Sequence, residues 1–213
     1  MKGVIKDFDE NQMTIIAPFD PIIIQQKIRE VTIVLEDGRK LSTDQRKKAW
    51  AILRDIEEYN GDSKEYLHQH FKEQLCKRLD IEEFSLSDCS MTIAREYVNL
   101  LIDFVLEWGI PCYDTYLNRT NDVDHFLWAC LYYKKCCICS KEAEYHHATG
   151  SRVGMGRDRK EVPLVGTKGF ALCRYHHSII HQDEVKFCEE HHVYAMEVDQ
   201  KILDKWNNKN ERR

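Results

Sequence analysis

The sequence predicts an α+β fold in two parts, and three observations predict it. Short β-branched runs come first and long stretches of helical periodicity follow them. The apolar periodicity then lapses over residues 113–120. Beyond that point cysteine and histidine crowd together in a segment with few apolar residues. The expected division is an N-terminal α+β unit over residues 1–118 and a smaller ligand-rich unit over residues 119–213.

Taken in order, Met13-Thr14-Ile15-Ile16 and Val31-Thr32-Ile33-Val34-Leu35 are the strand candidates, the second closed by the turn-forming pair Asp37-Gly38. Ser42-Thr43-Asp44 then offers side-chain oxygens to the open N–H groups of a first helical turn. Ala49, Leu53 and Ile56 continue at helical spacing. A second helix starts at Asp62-Ser63 and carries Leu67, Phe71 and Leu75. A third runs from about Thr92 with Val98, Leu101, Ile102 and Val105 on one face, and Gly109 with Pro111 supplies its stop. Residues 113–120 turn polar and read as a linker. Phe126, Leu127, Cys130 and Leu131 resume a helical stripe suited to packing the second unit against the first.

Composition narrows the function classes. The chain has 213 residues, 43% hydrophobic and 31% charged, which suits a globular protein with a real core and excludes low complexity. Its apolar stretches, such as Pro21-Ile22-Ile23-Ile24, fall far short of the ~20 residues a membrane span needs. The mixed charges of residues 1–10 give no secretion signal, so a cytoplasmic location is expected, that of a bacterial host if the protein is phage-encoded. Nine cysteines, an odd count with Cys136, Cys137 and Cys139 crowded together, point to a reducing compartment and to metal rather than to disulfides. Charge is uneven: residues 134–181 carry nine Lys/Arg against four acids, a local +5 within a net −5. A basic region of this kind is what phosphate contacts require.

The chemistry lies in that region. Cys136 and Cys139 are three apart, and Cys173 and His176 repeat the spacing. Two short chelating pairs supply the four N or S donors of a tetrahedral structural zinc and tie the ends of a small domain together. Buried core thiols are the bland alternative, and matched pairs argue against it. Cys137 is the spare, since adjacent cysteines do not easily reach one ion. A second set, His146-His147 and His177-x-x-x-His181, adds imidazoles. Residues four apart share a helix face, so His177 and His181 can hold one metal, whereas neighbours on a strand point to opposite sides. One of His146 and His147 can therefore ligate while the other serves as a general base. The glycine- and arginine-bearing stretch at residues 150–160 reads as a DNA-positioning loop or as ordinary solvated loop. Cys188-Glu189-Glu190-His191-His192 reads as a surface helix end.

Two resemblances sharpen this reading. Cys136-x-x-Cys139, Tyr145-His146-His147, Leu172-Cys173-x-x-His176-His177 and His177-x-x-x-His181 follow the pattern of HNH endonucleases, and within them the zinc-stapled ββα-metal branch, over roughly residues 130–185. That resemblance implies His147 as the base that activates water. It implies His146, His177 and His181 as ligands of a catalytic divalent cation (Mg, Mn, Ni or Zn), and Cys136, Cys139, Cys173 and His176 as the structural zinc site. DNA contacts are expected from Arg152, Arg157, Arg159, Lys160 and Arg174. Where the family carries an Asn, nine residues before the position of His177, this chain has Lys168, either a phosphate contact or a solvated lysine.

The N-terminal stretch Asp44-Gln45-Arg46-Lys47-Lys48-Ala49-Trp50, by residue type a solvated helix face with a core tryptophan, is the first of the matching features of a second family. With the strands before it and the later helix ending in Trp108-Gly109-Ile110, it resembles the lambda NinB (Orf) family of phage recombination mediators. This second resemblance implies a homodimer that binds single-stranded or branched DNA, with Lys47 and Lys48 among its phosphate contacts. It further implies single-strand-binding protein and a phage recombinase as partners. A non-catalytic zinc-stapled mediator competes with the nuclease reading, and the retention of four ligand-type histidines favours the nuclease. A zinc deaminase is excluded because His-x-Glu with Pro-Cys-x-x-Cys is missing.

Overall fold

The computed structural model describes residues 3–25, 27, 42–151 and 165–207. Val31-Thr32-Ile33-Val34-Leu35, Asp37-Gly38 and the prospective DNA contacts Arg152, Arg157, Arg159 and Lys160 lie outside the described residues.

Met13–Ile16 is a strand, as its β-branched run predicts. It is β2, and it pairs antiparallel with β1 (Val4–Phe8), Val4 opposite Ile16 and Phe8 opposite Met13. β1 escapes a pattern reading because Lys6-Asp7 breaks its alternation, and the register shifts between Ile5 and Asp7. Asp9 closes the turn, its carboxylate accepting from the backbone N–H of Asn11 at 2.8 Å and Gln12 at 3.0 Å. A single turn, α1 (Ile22–Gln25), follows.

The three long helices form where their caps and stripes place them. α2 (Thr43–Asn60) opens on a capping box: the Ser42 hydroxyl accepts from Gln45 N–H, and the Gln45 side chain accepts from Ser42 N–H. It closes at Gly61, whose φ of 83° suits glycine. α3 (Lys64–Leu79) and α4 (Met91–Trp108) are capped by Ser63 and Ser90. Ala49, Ile52, Leu53 and Ile56 of α2 meet Leu67, Phe71 and Leu75 of α3 and Val98, Leu101, Ile102 and Val105 of α4. All of them are buried. Each large aliphatic or aromatic side chain so removed from water contributes ~1.5–3 kcal/mol.

The polar stretch at residues 113–120 is more ordered than a linker reading expects. It contains the short helix α5 (Tyr116–Arg119), whose ends are both anchored. Tyr116 is fully buried, and its hydroxyl donates to Ile110 O at 3.1 Å. Arg119, also buried, pairs with Asp55 of α2 and with Asp114. The apolar periodicity lapses here because the anchor is a tyrosine and an ion pair, not because the chain is loose. Lys48 joins the same seam, its ammonium donating to Thr120 O at 2.9 Å and to Asn121 Oδ1 at 2.6 Å.

α6 (Val123–Tyr132) carries the Phe126, Leu127, Cys130 and Leu131 stripe and packs against α4 on one side. On its other side lie β4 (Lys168–Leu172) and α9 (Gln200–Asn207). β4 is the centre of a three-stranded antiparallel sheet between β3 (Glu144–His147) and β5 (Met196–Glu197). Two further helices, α7 (Arg174–Ile180) and α8 (Glu184–His191), follow β4. The result is a mixed α+β fold in which one apolar cluster runs from Ala49 through Phe126 and Phe170 to Ile202. Among the described residues no helix is long and apolar enough to cross a membrane.

Candidate active site

The cysteine knuckle is built by backbone geometry. Cys136 N–H donates to Lys141 O at 2.7 Å, Ser140 N–H returns to Cys136 O at 2.8 Å, and Ser140 takes a φ of 56°, so the chain reverses within five residues. That reversal turns Cys136 and Cys139 toward Cys173, the residue between β4 and α7, and toward His176 in the first turn of α7. Cys136 Sγ lies 3.4 Å from His176 Nδ1, Cys173 Sγ 3.3 Å from the same nitrogen, and Cys139 Sγ 3.6 Å from Cys173 Sγ. A tetrahedral ion with bonds of ~2.0–2.3 Å holds its donors about 3.3–3.8 Å apart, so these separations fit one zinc. Cys137 points elsewhere: it is buried, and its N–H donates to Ala171 O of β4 at 3.0 Å.

Strand alternation sorts the two neighbouring histidines. His146 faces α7 and is 1% exposed, with its ring edge-on to His177 at 4.9 Å and to His181 at 4.7 Å between centroids. His177 and His181, one helical turn apart, stack at 4.9 Å. One ligand atom from each of the three lies within 4.8 Å of the others. Burial, reinforced by His177 and His181, pulls the His146 imidazole down to about 4, so near neutrality it is an uncharged donor. Its Nε2 is buried and makes no hydrogen bond, and the Glu184 Oε2 stands 3.7 Å away. A buried ring nitrogen in that condition is costly unless a cation takes its lone pair, so the three imidazoles fit a metal.

His147 lies on the other face, its ring edge-on to Tyr145 at 4.7 Å. Tyr145 is wedged in turn. It lies across Gly169 of β4, where a Cβ would run into its hydroxyl and ring, and its hydroxyl is 3.2 Å from Thr167 Oγ1. Trp206 of α9 packs edge-on against it at 5.9 Å while donating its indole N–H to Leu131 O. The base candidate is thus buttressed by a chain of aromatics that ends in the shared core.

Two carboxylates beside the triad were missed by the sequence reading. Glu144 Oε2 is 3.1 Å from His177 Nδ1, which fixes that ring and leaves Nε2 for a cation. Glu144 and His146 are two apart on one strand, so alternation gave a signal for the pairing. Glu184, the first residue of α8, accepts from Thr149 N–H at 2.9 and 3.0 Å and from its hydroxyl at 2.8 Å. It enters through a turn, and no spacing rule points to it.

The remaining candidates are spread out. Lys168 is exposed at the start of β4, its N–H donating to Ser151 Oγ at 3.1 Å, and by alternation it shares the face of Phe170 and His146. Arg174 is exposed at the start of α7, and Lys47 is exposed on α2. Lys48 is engaged in the α2–α5 seam. Cys188 and His191 sit on α8 and His192 caps it, and among the described residues they join no metal cluster.

A protein-family model described as "Putative HNHc nuclease" matches residues 13–208. The match runs through both halves of the chain and distinguishes no separate N-terminal mediator domain. Comparisons with curated proteins and with solved structures return no match.

Proposed function

The chain belongs to the HNHc nuclease family and is a metal-dependent nuclease-type enzyme, and on that premise we propose that it is an endonuclease hydrolysing DNA phosphodiester bonds. The observation that carries the proposal is the division of β3. His146 turns into a triad of imidazoles and the adjacent His147 turns to the opposite face, buttressed but outside the triad.

In this reading His147 accepts the proton of the attacking water, and Tyr145 and Gly169 hold its ring in place. A divalent cation held by His146, His177 and His181 would supply Lewis-acid stabilisation to the phosphate and to the departing 3′ oxygen. Imidazole donors suit Mn, Ni or Zn better than Mg, and all four are candidates. Cys136, Cys139, Cys173 and His176 would hold a structural zinc that fixes the passage from β4 into α7, and with it the spacing of His177 and His181 from β3. Lys168 and Arg174, with Arg152, Arg157, Arg159 and Lys160 outside the described residues, would contact phosphates.

The finer biological role is proposed on resemblance. The N-terminal half would form a homodimer, engage single-stranded or branched DNA through Lys47 and its neighbours, and meet single-strand-binding protein and a recombinase during phage recombination. Tethering would then raise the concentration of the nuclease site on DNA already held. The test is a cleavage assay with purified full-length protein on single-stranded, duplex and branched DNA, each with Mg, Mn, Ni and Zn. Cleavage of at least one substrate with one metal is expected. Intact DNA under every condition would remove the endonuclease reading.

A further inference from the structure

We infer that Glu184 is the fourth protein donor of the cation site, making it a three-histidine, one-carboxylate centre. The inference rests on the reading of His146, His177 and His181 as cation ligands, and it concerns what completes them.

Three neutral imidazoles leave the charge of a divalent cation uncompensated in a half-buried pocket, where an anion is worth more than it is in water. Glu184 is placed to supply that charge. Its Oε2 is 3.7 Å from His146 Nε2, the buried ring nitrogen without a hydrogen bond. Two donors sharing an ion at bonds of ~2.0–2.2 Å stand about 3–4 Å apart, so the oxygen lies at a neighbouring ligand's spacing from His146. It stands outside the 4.8 Å grouping of the three histidines, and ligation would draw it inward toward His177 and His181. It is also held in place. Thr149, two residues beyond His147, donates both its N–H and its hydroxyl to the carboxylate, and Glu184 sits on the first turn of α8, whose Asp183 cap accepts from Lys186 N–H. A carboxylate that is anchored before the cation arrives loses little freedom on ligation.

Glu144 occupies a different position. It meets His177 at Nδ1, which leaves Nε2 as that ring's available donor, and so would orient a ligand rather than be one. Glu184 meets His146 at the nitrogen that would bind. The two carboxylates therefore differ in a measurable way: removing Glu144 should loosen one imidazole, and removing Glu184 should delete a donor and a charge.

The experiment is calorimetric titration of Mn into full-length, zinc-loaded protein, comparing wild type with Glu184→Gln, Glu184→Asp and Thr149→Val. Glu184→Gln keeps the side-chain length and an oxygen for Thr149 N–H, and its Mn affinity should fall at least ~10-fold, the lower end of what supporting carboxylates contribute at metal sites. Glu184→Asp keeps the charge but withdraws it by one methylene, and it should also bind more weakly. If Glu184 merely anchored α8, Thr149→Val would do equal damage to stability and no Glu184 variant would change affinity in folded protein. Equal affinity of wild type and Glu184→Gln, or of Glu184→Asp should Glu184→Gln not fold, overturns the assignment. The outcome is separable from the nuclease reading. Protein that binds Mn through Glu184 but cleaves no DNA keeps this inference and loses that reading, and protein that cleaves with an indifferent Glu184 does the reverse.

Discussion

Gly169 is the residue on which the placement of His147 depends. With no Cβ it lets Tyr145 lie flat across β4, and Tyr145 meets the His147 ring edge-on. Gly169→Ala would push into both Tyr145 and the His146 carbonyl, which are ring and backbone rather than a flexible tip. The expected outcome is a loss of ~1–3 kcal/mol in urea denaturation, typical of overpacking. Cleavage should fall by about 10²-fold, the scale that a displaced catalytic group produces. Normal cleavage by Gly169→Ala would show that Tyr145 does not position the base. At this scale the clustering of the candidate ligands was legible and their supports were not. Cys136, Cys139, Cys173, His176, His146, His177 and His181 declare themselves by spacing along one strand, knuckle or helix turn. Gly169 acts across the sheet through register, and Glu184 through a turn, and neither relation is written in local spacing.

At the scale of elements, two polar contacts join helices that the apolar pattern treats separately. Arg119 and Asp55 are 64 positions apart and almost wholly buried, which is why a sequence reading takes residues 113–120 for a linker when they are a seam between α2 and α5. Arg119→Met would leave Asp55 buried without its cation, and such breakage costs about 3–5 kcal/mol. Chemical denaturation should show that loss, and Asp55→Leu combined with Arg119→Met should recover much of it. His125 of α6 meets Asp103 of α4 at 2.9 Å. Burial pulls this imidazole down, but the hydrogen bond and charge of Asp103 outweigh it, so the folded-state value is raised. A raised histidine stabilises the fold fully below its unfolded value of ~6.5 and loses that contribution as pH rises through the folded value. Stability measured from pH 6 to pH 9 should therefore carry a decline that Asp103→Asn removes. The long helices themselves were legible, because Ser42 and Ser63 mark the starts of two, Gly109 marks the stop of the third, and their buried stripes recur every three to four residues.

At the scale of the whole molecule, the apolar cluster continues through α6 into the sheet that carries His146 and His147, so the two halves distinguished in the sequence share one core. An ion held by the cysteine knuckle would consequently support more than its own loop. Elemental analysis should find zinc at one per chain or more, and a strong chelator should loosen β3, β4 and α7 and change the environment of Trp206, whose ring packs edge-on against Tyr145 of β3. Protein without zinc, or with fluorescence and folding indifferent to the chelator, would contradict that role. The central claim, that β3 divides base from ligand, is tested most directly by measuring single-turnover cleavage and Mn affinity together for wild type, His147→Ala and His177→Ala. The account predicts that His147→Ala loses ~10²–10⁴-fold in rate with its Mn affinity intact. It predicts that His177→Ala binds Mn more weakly and regains part of its rate as Mn is raised. Cleavage by His147→Ala at the wild-type rate, or the same defect in both variants, would contradict it.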